Sequence, residues 1–138
     1  MSPKICVVIA NYYPEISDKL IDGSNKELKK YGIKINNKIH VPGIFEIPVV
    51  IAKKIDKYDG FIALGCVIKG KTPHYNLISK ATTNALMKLS ITYKKPIGNG
   101  VITCLNKKQA MERADKNKAN KGGEAARAVL SVLEIIKL

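Results

Sequence analysis

From Gly60 to Ile68 the chain reads GFIALGCVI, an apolar run with no polar alternation. A strand covered on both faces needs such a run, and parallel sheets are built from such strands. The residues that follow are equally constraining. Gly70 permits a tight turn or close backbone approach, Thr72 is a good N-cap, and Pro73 stands where the first helical residue should be, its missing N–H costing nothing there. A strand, a turn and a helix start are therefore expected. The free N–H groups of the first helical turn, with the helix dipole, make an anion site. His74 lies within that turn. The dipole and the neighbouring Lys69 and Lys71 disfavour imidazolium, so a largely neutral His74 is expected near neutral pH, able to accept a proton from a substrate and return it.

The rest of the chain repeats the alternation of strand and helix. Lys4 to Ala10 (KICVVIA) reads as a central strand. After Pro14, the residues Ile16, Leu20, Ser24, Leu28 and Tyr31 recur at helical spacing until Gly32 ends the helix. Between Ile33 and Val41 apolar and polar residues alternate, as in an edge strand with one face exposed, and His40 falls on the polar face. Pro42-Gly43 is a loop, and Ile44 to Pro48 leads into a helix from Val49 to Ile55. The helix opened by Pro73 should run to about Tyr93 with Leu77 or Ile78, Ala81, Ala85 and Leu89 inward. A strand from Ile97 to Leu105 is interrupted by Gly98-Asn99-Gly100, where bare backbone suggests close approach by something else. A short helix (Lys107 to Ala114), a polar loop (Asp115 to Gly123) and a last helix with Ala126, Val129, Leu130, Leu133 and Ile136 buried complete the pattern.

A length of 138 residues suits one domain with its own core. The fold class is α/β: a three-layer α/β/α flavodoxin-like sandwich over 1–138, on a four-stranded parallel sheet of order 2-1-3-4. In such sheets ligands bind beyond the carboxyl ends of the strands, where the strand order reverses. Tyr12, Phe45, Cys66 to His74 and Asn99 are all expected just past those ends. Tyr12 and Phe45 can stack on a flat heterocycle or cap the core, and Glu46 can accept hydrogen bonds from a polyol or amide or be exposed. Arg113 offers a fork suited to phosphate and Lys121 a point charge, although in a chain with 24 Lys and Arg either is equally at home in solvent.

The formal net charge of +13 admits nucleic acid or phosphorylated small molecules as partners. The excess is mostly Lys dispersed over the whole chain, without an aromatic-interleaved Arg cluster. A solvated Lys-rich surface accounts for it, and neither nucleic acid nor membrane is the expected partner. Cys6, Cys66 and Cys104 sit in apolar runs with no CxxC pair, so they read as buried thiols of a reducing compartment rather than metal ligands. The run from Ile5 to Ala10 is too short to cross a bilayer and carries no signal-peptide pattern, so a cytoplasmic protein is expected.

Four segments, VPGIFEIP (Val41 to Pro48), LGCVIKGKTPHYN (Leu64 to Asn76), PIGNGVIT (Pro96 to Thr103) and ERADKNKANKGGEAA (Glu112 to Ala126), stand in an order and spacing that resembles the 6,7-dimethyl-8-ribityllumazine synthase family over essentially the whole chain. The resemblance implies a transferase of riboflavin biosynthesis. It condenses 5-amino-6-(D-ribitylamino)uracil with 3,4-dihydroxy-2-butanone 4-phosphate and releases phosphate and water, without metal or organic cofactor. By the same resemblance Tyr12 stacks on the pyrimidine, and Ile44, Phe45 and Glu46 line the ring and the ribityl chain. Cys66, Val67 and Ile68 read the pyrimidine edge through their backbone. Lys71 and Thr72 hold the butanone phosphate, Arg113 pairs with it, and His74 shuttles protons. Asn99 is contributed across a subunit boundary, and Lys121 lies near the same pocket.

The resemblance further implies a homopentamer with sites between subunits, which in some members builds decamers or sixty-subunit shells, and a functional link to riboflavin synthase. The short segment before the first strand favours a free pentamer. Two positions depart from the common pattern: Lys71 stands where many members have Glu, and Asn99 replaces an aromatic, which weakens stacking from the neighbouring subunit. Two rival functions remain at this point, a non-catalytic flavin or nucleotide binder on the same sheet and a charge-driven nucleic-acid binder. A response-regulator-like role is disfavoured, because no acidic cluster follows the first or third strand.

Overall fold

The computed structural model describes residues 2–71 and 73–137. Four parallel strands, β1 (Ile5–Ala10), β2 (Asn37–Val41), β3 (Gly60–Ile68) and β4 (Ile97–Cys104), form one sheet in the order β2-β1-β3-β4. This is the expected order. Every residue of β1 is buried, and alternation along it feeds two separate cores. Ile5, Val7 and Ile9 join Ile62, Leu64 and Cys66 of β3 beneath α1 (Pro14–Lys29), α4 (Lys107–Ala114) and α5 (Lys121–Ile136). Cys6, Val8 and Ala10 join Phe61 and Ala63 beneath α2 (Ile47–Lys54) and α3 (His74–Tyr93). Each fully buried Ile, Leu or Val contributes roughly 1.5–3 kcal/mol, so the two inner strands dominate the stability of the sheet.

Several boundaries differ from the sequence reading. β2 begins at Asn37 rather than Ile33 because Asn36 takes over the pairing with β1: its N–H donates to Ile5 O at 2.9 Å and its Oδ1 accepts from Ile5 N–H at 2.8 Å. Ile33 and Ile35 still pack against the core, but from a loop. α1 ends one turn before Gly32, whose φ of +69° turns the chain, and Tyr31 is exposed rather than part of the stripe. α2 starts at Ile47, two residues earlier than expected, with Pro48 in its first turn where no N–H is needed.

Pro73 stands at the cap of α3 and His74 is its first residue. The expected N-cap, Thr72, lies outside the described residues. At Gly70 neither reason for a glycine is seen, since an added Cβ would meet nothing among the described residues and φ is not left-handed. The inner face of α3 is Ile78, Thr82, Leu86 and Leu89, whereas Leu77 and Ala81 are exposed.

β4 is not interrupted: its register with β3 is continuous from Phe61 opposite Ile97 to Ile68 opposite Cys104. Its glycines are needed because α5 lies directly on them. A Cβ at Gly98 would run into the carbonyl oxygen of Ala125, and one at Gly100 into Leu64 and Ala125 Cβ. α5 begins at Lys121, inside the expected loop, with Asn120 Oδ1 accepting from Gly123 N–H at 3.1 Å. Ala125, Ala126 and Val129 are its buried stripe, and Ile136 is exposed.

Candidate active site

A cleft of about 390 Å³ opens at the carboxyl ends of β1, β2 and β3, at the reversal of strand order. The loop after β1 supplies Tyr12 and Tyr13. It is pinned by Asn11 N–H donating to Val41 O at 2.8 Å and by the buried Ser17 hydroxyl donating to Ala10 O at 2.7 Å. The loop after β2 supplies Pro42 and Gly43 and then a 3₁₀ turn, Ile44–Glu46, in which Glu46 Oε1 accepts from Gly43 N–H at 2.9 Å. One carboxylate oxygen thus fixes the turn that presents Phe45. β3 contributes Cys66, Val67 and Ile68, and α3 contributes His74 and Ile78.

The cleft therefore unites eight of the residues singled out from sequence: Tyr12, Ile44, Phe45, Glu46, Cys66, Val67, Ile68 and His74. Tyr12 and Phe45, both in the cleft wall, are 72% and 61% exposed, so each ring has surface available to a ligand. Cys66, Val67 and Ile68 are the last residues of the strand rather than residues past its end. Sequence reasoning missed Tyr13, Pro42, Gly43 and Ile78. Tyr13 was within reach, adjoining Tyr12 on a short loop, whereas Ile78 required the correct helical phase of α3.

Four residues fall elsewhere. Asn99 is not past a strand end: it is the third residue of β4, opposite Ala63, because the strand continues five residues beyond it. Its side chain is exposed, with Oδ1 accepting from Val101 N–H at 3.0 Å. Arg113, on α4, donates from Nη1 to Thr103 O at 2.8 Å, so its guanidinium is held at the carboxyl end of β4 beside Cys104. Lys71 is exposed in the turn after β3. Lys121, at the start of α5, pairs with Glu124 at 3.2 Å.

Burial governs the electrostatics of the inner wall. It pushes the Cys66 thiol up to about 12, with adjacent Cys104 adding to the effect. Cys104 is raised by burial too, against the opposing pull of Arg113. Cys66 is therefore a weak nucleophile, and the groups suited to moving protons in the cleft are His74 and Glu46. No group of three or more His, Cys, Asp or Glu suited to a metal occurs among the described residues. A second cavity of about 330 Å³ lies at the opposite end of the sheet, between α3, β4 and α5. Among the described residues its titratable side chains are Lys94 and Lys95, and Lys95 Nζ donates to Ile55 O at 2.7 Å, so no acid–base pair is seen among them.

A parallel α/β sheet that gathers two exposed aromatics, a carboxylate and an imidazole at its reversal of strand order belongs to the class of α/β proteins with a small-molecule cleft at the carboxyl ends of their strands. The chain belongs to the 6,7-dimethyl-8-ribityllumazine synthase family, whose model matches residues 2–137. It is 42% identical to 6,7-dimethyl-8-ribityllumazine synthase 1 of Rhodopseudomonas palustris over 96% of this chain and 85% of the relative. The synthase of Agrobacterium fabrum is 39% identical over 98% of this chain and 95% of the relative. The synthase of Buchnera aphidicola is 44% identical over 97% and 87%.

Proposed function

We propose that the chain condenses 5-amino-6-(D-ribitylamino)uracil with 3,4-dihydroxy-2-butanone 4-phosphate to 6,7-dimethyl-8-ribityllumazine, releasing phosphate and water. The observation that carries this reading is the family match over residues 2–137, in a chain whose cleft gathers Tyr12, Phe45, Glu46 and His74 at one strand-order reversal. The amine adds to the ketone and loses a first water to give an imine, phosphate leaves by elimination, and the second amine closes the ring with loss of a second water. Every step moves protons. His74 serves them, a contribution of roughly 10² to 10⁴ in rate, and holding two substrates together supplies most of the remainder.

In this account Tyr12 stacks on the pyrimidine, Ile44, Phe45 and Glu46 line the ring and ribityl chain, and the backbone of Cys66, Val67 and Ile68 reads the pyrimidine edge. Arg113, Lys71 and Thr72 take the phosphate, with Lys121 nearby. The chain acts as one domain in a ring of five copies, each lending Asn99 to its neighbour's cleft. The exposed apolar side chains of α3 (Leu77, Met87, Ile91) and α5 (Val132, Ile135, Ile136) support burial against further copies. The three free, buried thiols suit a reducing compartment, and the cytoplasm is the proposed location. The product is the substrate of riboflavin synthase, which gives the functional link.

Incubation of purified protein with both substrates tests the reading. Lumazine and phosphate formed in equal amounts, with native mass spectrometry showing multiples of five chains, is the expected result. A folded protein that forms neither compound above the uncatalysed background contradicts it.

A further inference from the structure

Tyr13 lines the cleft beside Tyr12, Cys66 and His74, and none of the roles above uses it. Its ring packs against the core beneath α1 and α5. It stands edge-on to Tyr12, with 4.9 Å between centroids and 76° between planes. Of this pair Tyr12 is open to solvent and Tyr13 is half-buried, so Tyr13 is the fixed member. Burial first, then the neighbouring Tyr12 and Cys66, raise its phenol above the ordinary value of 10. The group therefore keeps its proton through the neutral range and is available as a donor. The closed-off unpaired oxygens among the described residues are Ser79 Oγ and Thr82 Oγ1, both on α3; the Tyr13 hydroxyl is not one of them, and Tyr13 is a residue of the cleft wall.

The cleft's needs point the same way. Its wall is mainly apolar, from Ile44, Phe45, Val67, Ile68 and Ile78. A ligand carrying a polyol chain loses water from several hydroxyls on entering, and each one left unpaired costs binding free energy. Glu46 offers an acceptor, since one of its carboxylate oxygens is engaged by Gly43 N–H and the other takes no hydrogen bond among the described residues. An ionised carboxylate cannot donate. The polyol oxygens need a donor of fixed position.

We infer that Tyr13 supplies it: the phenol hydroxyl donates a hydrogen bond to a hydroxyl oxygen of the ribityl chain, making Tyr13 a residue that selects the polyol-bearing aminouracil. This inference rests on the substrate proposed above.

The test is Tyr13→Phe, which removes the hydroxyl and keeps the ring edge-on to Tyr12. Wild type and variant are compared by calorimetry with 5-amino-6-(D-ribitylamino)uracil and with its 6-pentylamino analogue, which carries no hydroxyls. The variant should bind the ribityl compound about five- to tenfold more weakly, the factor set by one lost neutral hydrogen bond, and bind the pentyl compound as wild type does. The KM for the ribityl substrate should rise by the same factor, with kcat and the KM for the butanone phosphate unchanged. Tyr13→His, which retains a donor, should stay closer to wild type than Tyr13→Phe does. Equal losses for both compounds, or no loss for the ribityl compound, overturn the inference. A wild type that binds the ribitylaminouracil but makes no lumazine sinks the enzymatic reading alone, and the calorimetric comparison still decides Tyr13.

Discussion

Glu27 on α1 and Arg127 on α5 lie 100 residues apart in sequence and 3.0 Å apart in space, and the carboxylate is 3% exposed. Its second oxygen meets Lys30 Nζ at 3.1 Å. The hydrogen bond from Arg127 is the largest influence holding the Glu27 carboxyl below its ordinary value of 4.5, with Lys30 assisting against the opposing effect of burial. A carboxyl lowered on folding contributes stability that is full above its unfolded value and lost as pH falls through the folded one. Arg127→Gln should therefore lose about 1–2 kcal/mol near neutral pH, and the loss should shrink as pH falls below 4.5. Urea unfolding of both proteins on either side of that pH checks it; an equal loss at both would show that the pair does not act through charge.

Gly98 is a packing requirement and Gly70 is not. An added Cβ at Gly98 meets the Ala125 carbonyl and Val129, where backbone must give way, while at Gly70 it meets none of the described residues. Gly98→Ala should cost about 2–3 kcal/mol by pushing α5 off β4, and Gly70→Ala should change stability by less than about 0.5 kcal/mol. Thermal melting of the two variants side by side is sufficient, and similar losses would refute the contrast.

The thiols should be inert in the folded protein. Cys6 is pushed up to about 11 and Cys66 to about 12, both chiefly by burial, so thiolate is scarce at neutral pH. Ellman's reagent should titrate three thiols in guanidinium and react far more slowly with the native chain, by about 10² or more. Rapid native reaction of Cys66 would show that the wall beside His74 opens.

The sequence made legible what depends on strong local contrast. β1 and β3 are apolar on both faces, and both sheet order and cleft position followed from them. It misled where contrast is weak. α3 carries apolar residues all round, Leu77, Ile78, Leu86, Met87, Leu89 and Ile91 among them, so the helical phase was ambiguous and Ile78 was missed as a cleft residue. Asn99 was misplaced because the two glycines read as an interruption of the strand, whereas β4 runs through them; the close approach they suggested is real and is the contact with α5. Asn36 imitates a backbone pairing with its side chain, which no alternation pattern reveals.

Arg113 tests the phosphate assignment. Its guanidinium is anchored by Thr103 O at 2.8 Å, which leaves a planar fork in fixed orientation that Lys lacks. Arg113→Lys should raise the KM for the butanone phosphate about tenfold or more and leave the affinity for the ribitylaminouracil within about twofold. Steady-state kinetics with each substrate varied in turn reads both; an effect confined to the aminouracil would reassign the residue.

The most direct test of the whole account is the initial rate of lumazine formation, followed by its absorbance with both substrates saturating, for wild type and for His74→Ala with its native fold retained. The account predicts turnover well above the uncatalysed background for wild type and a fall of at least about tenfold in the variant, since a positioned acid–base group typically contributes 10² or more and water replaces only part of it. Equal rates in the two proteins, or a wild type no faster than background, would contradict it.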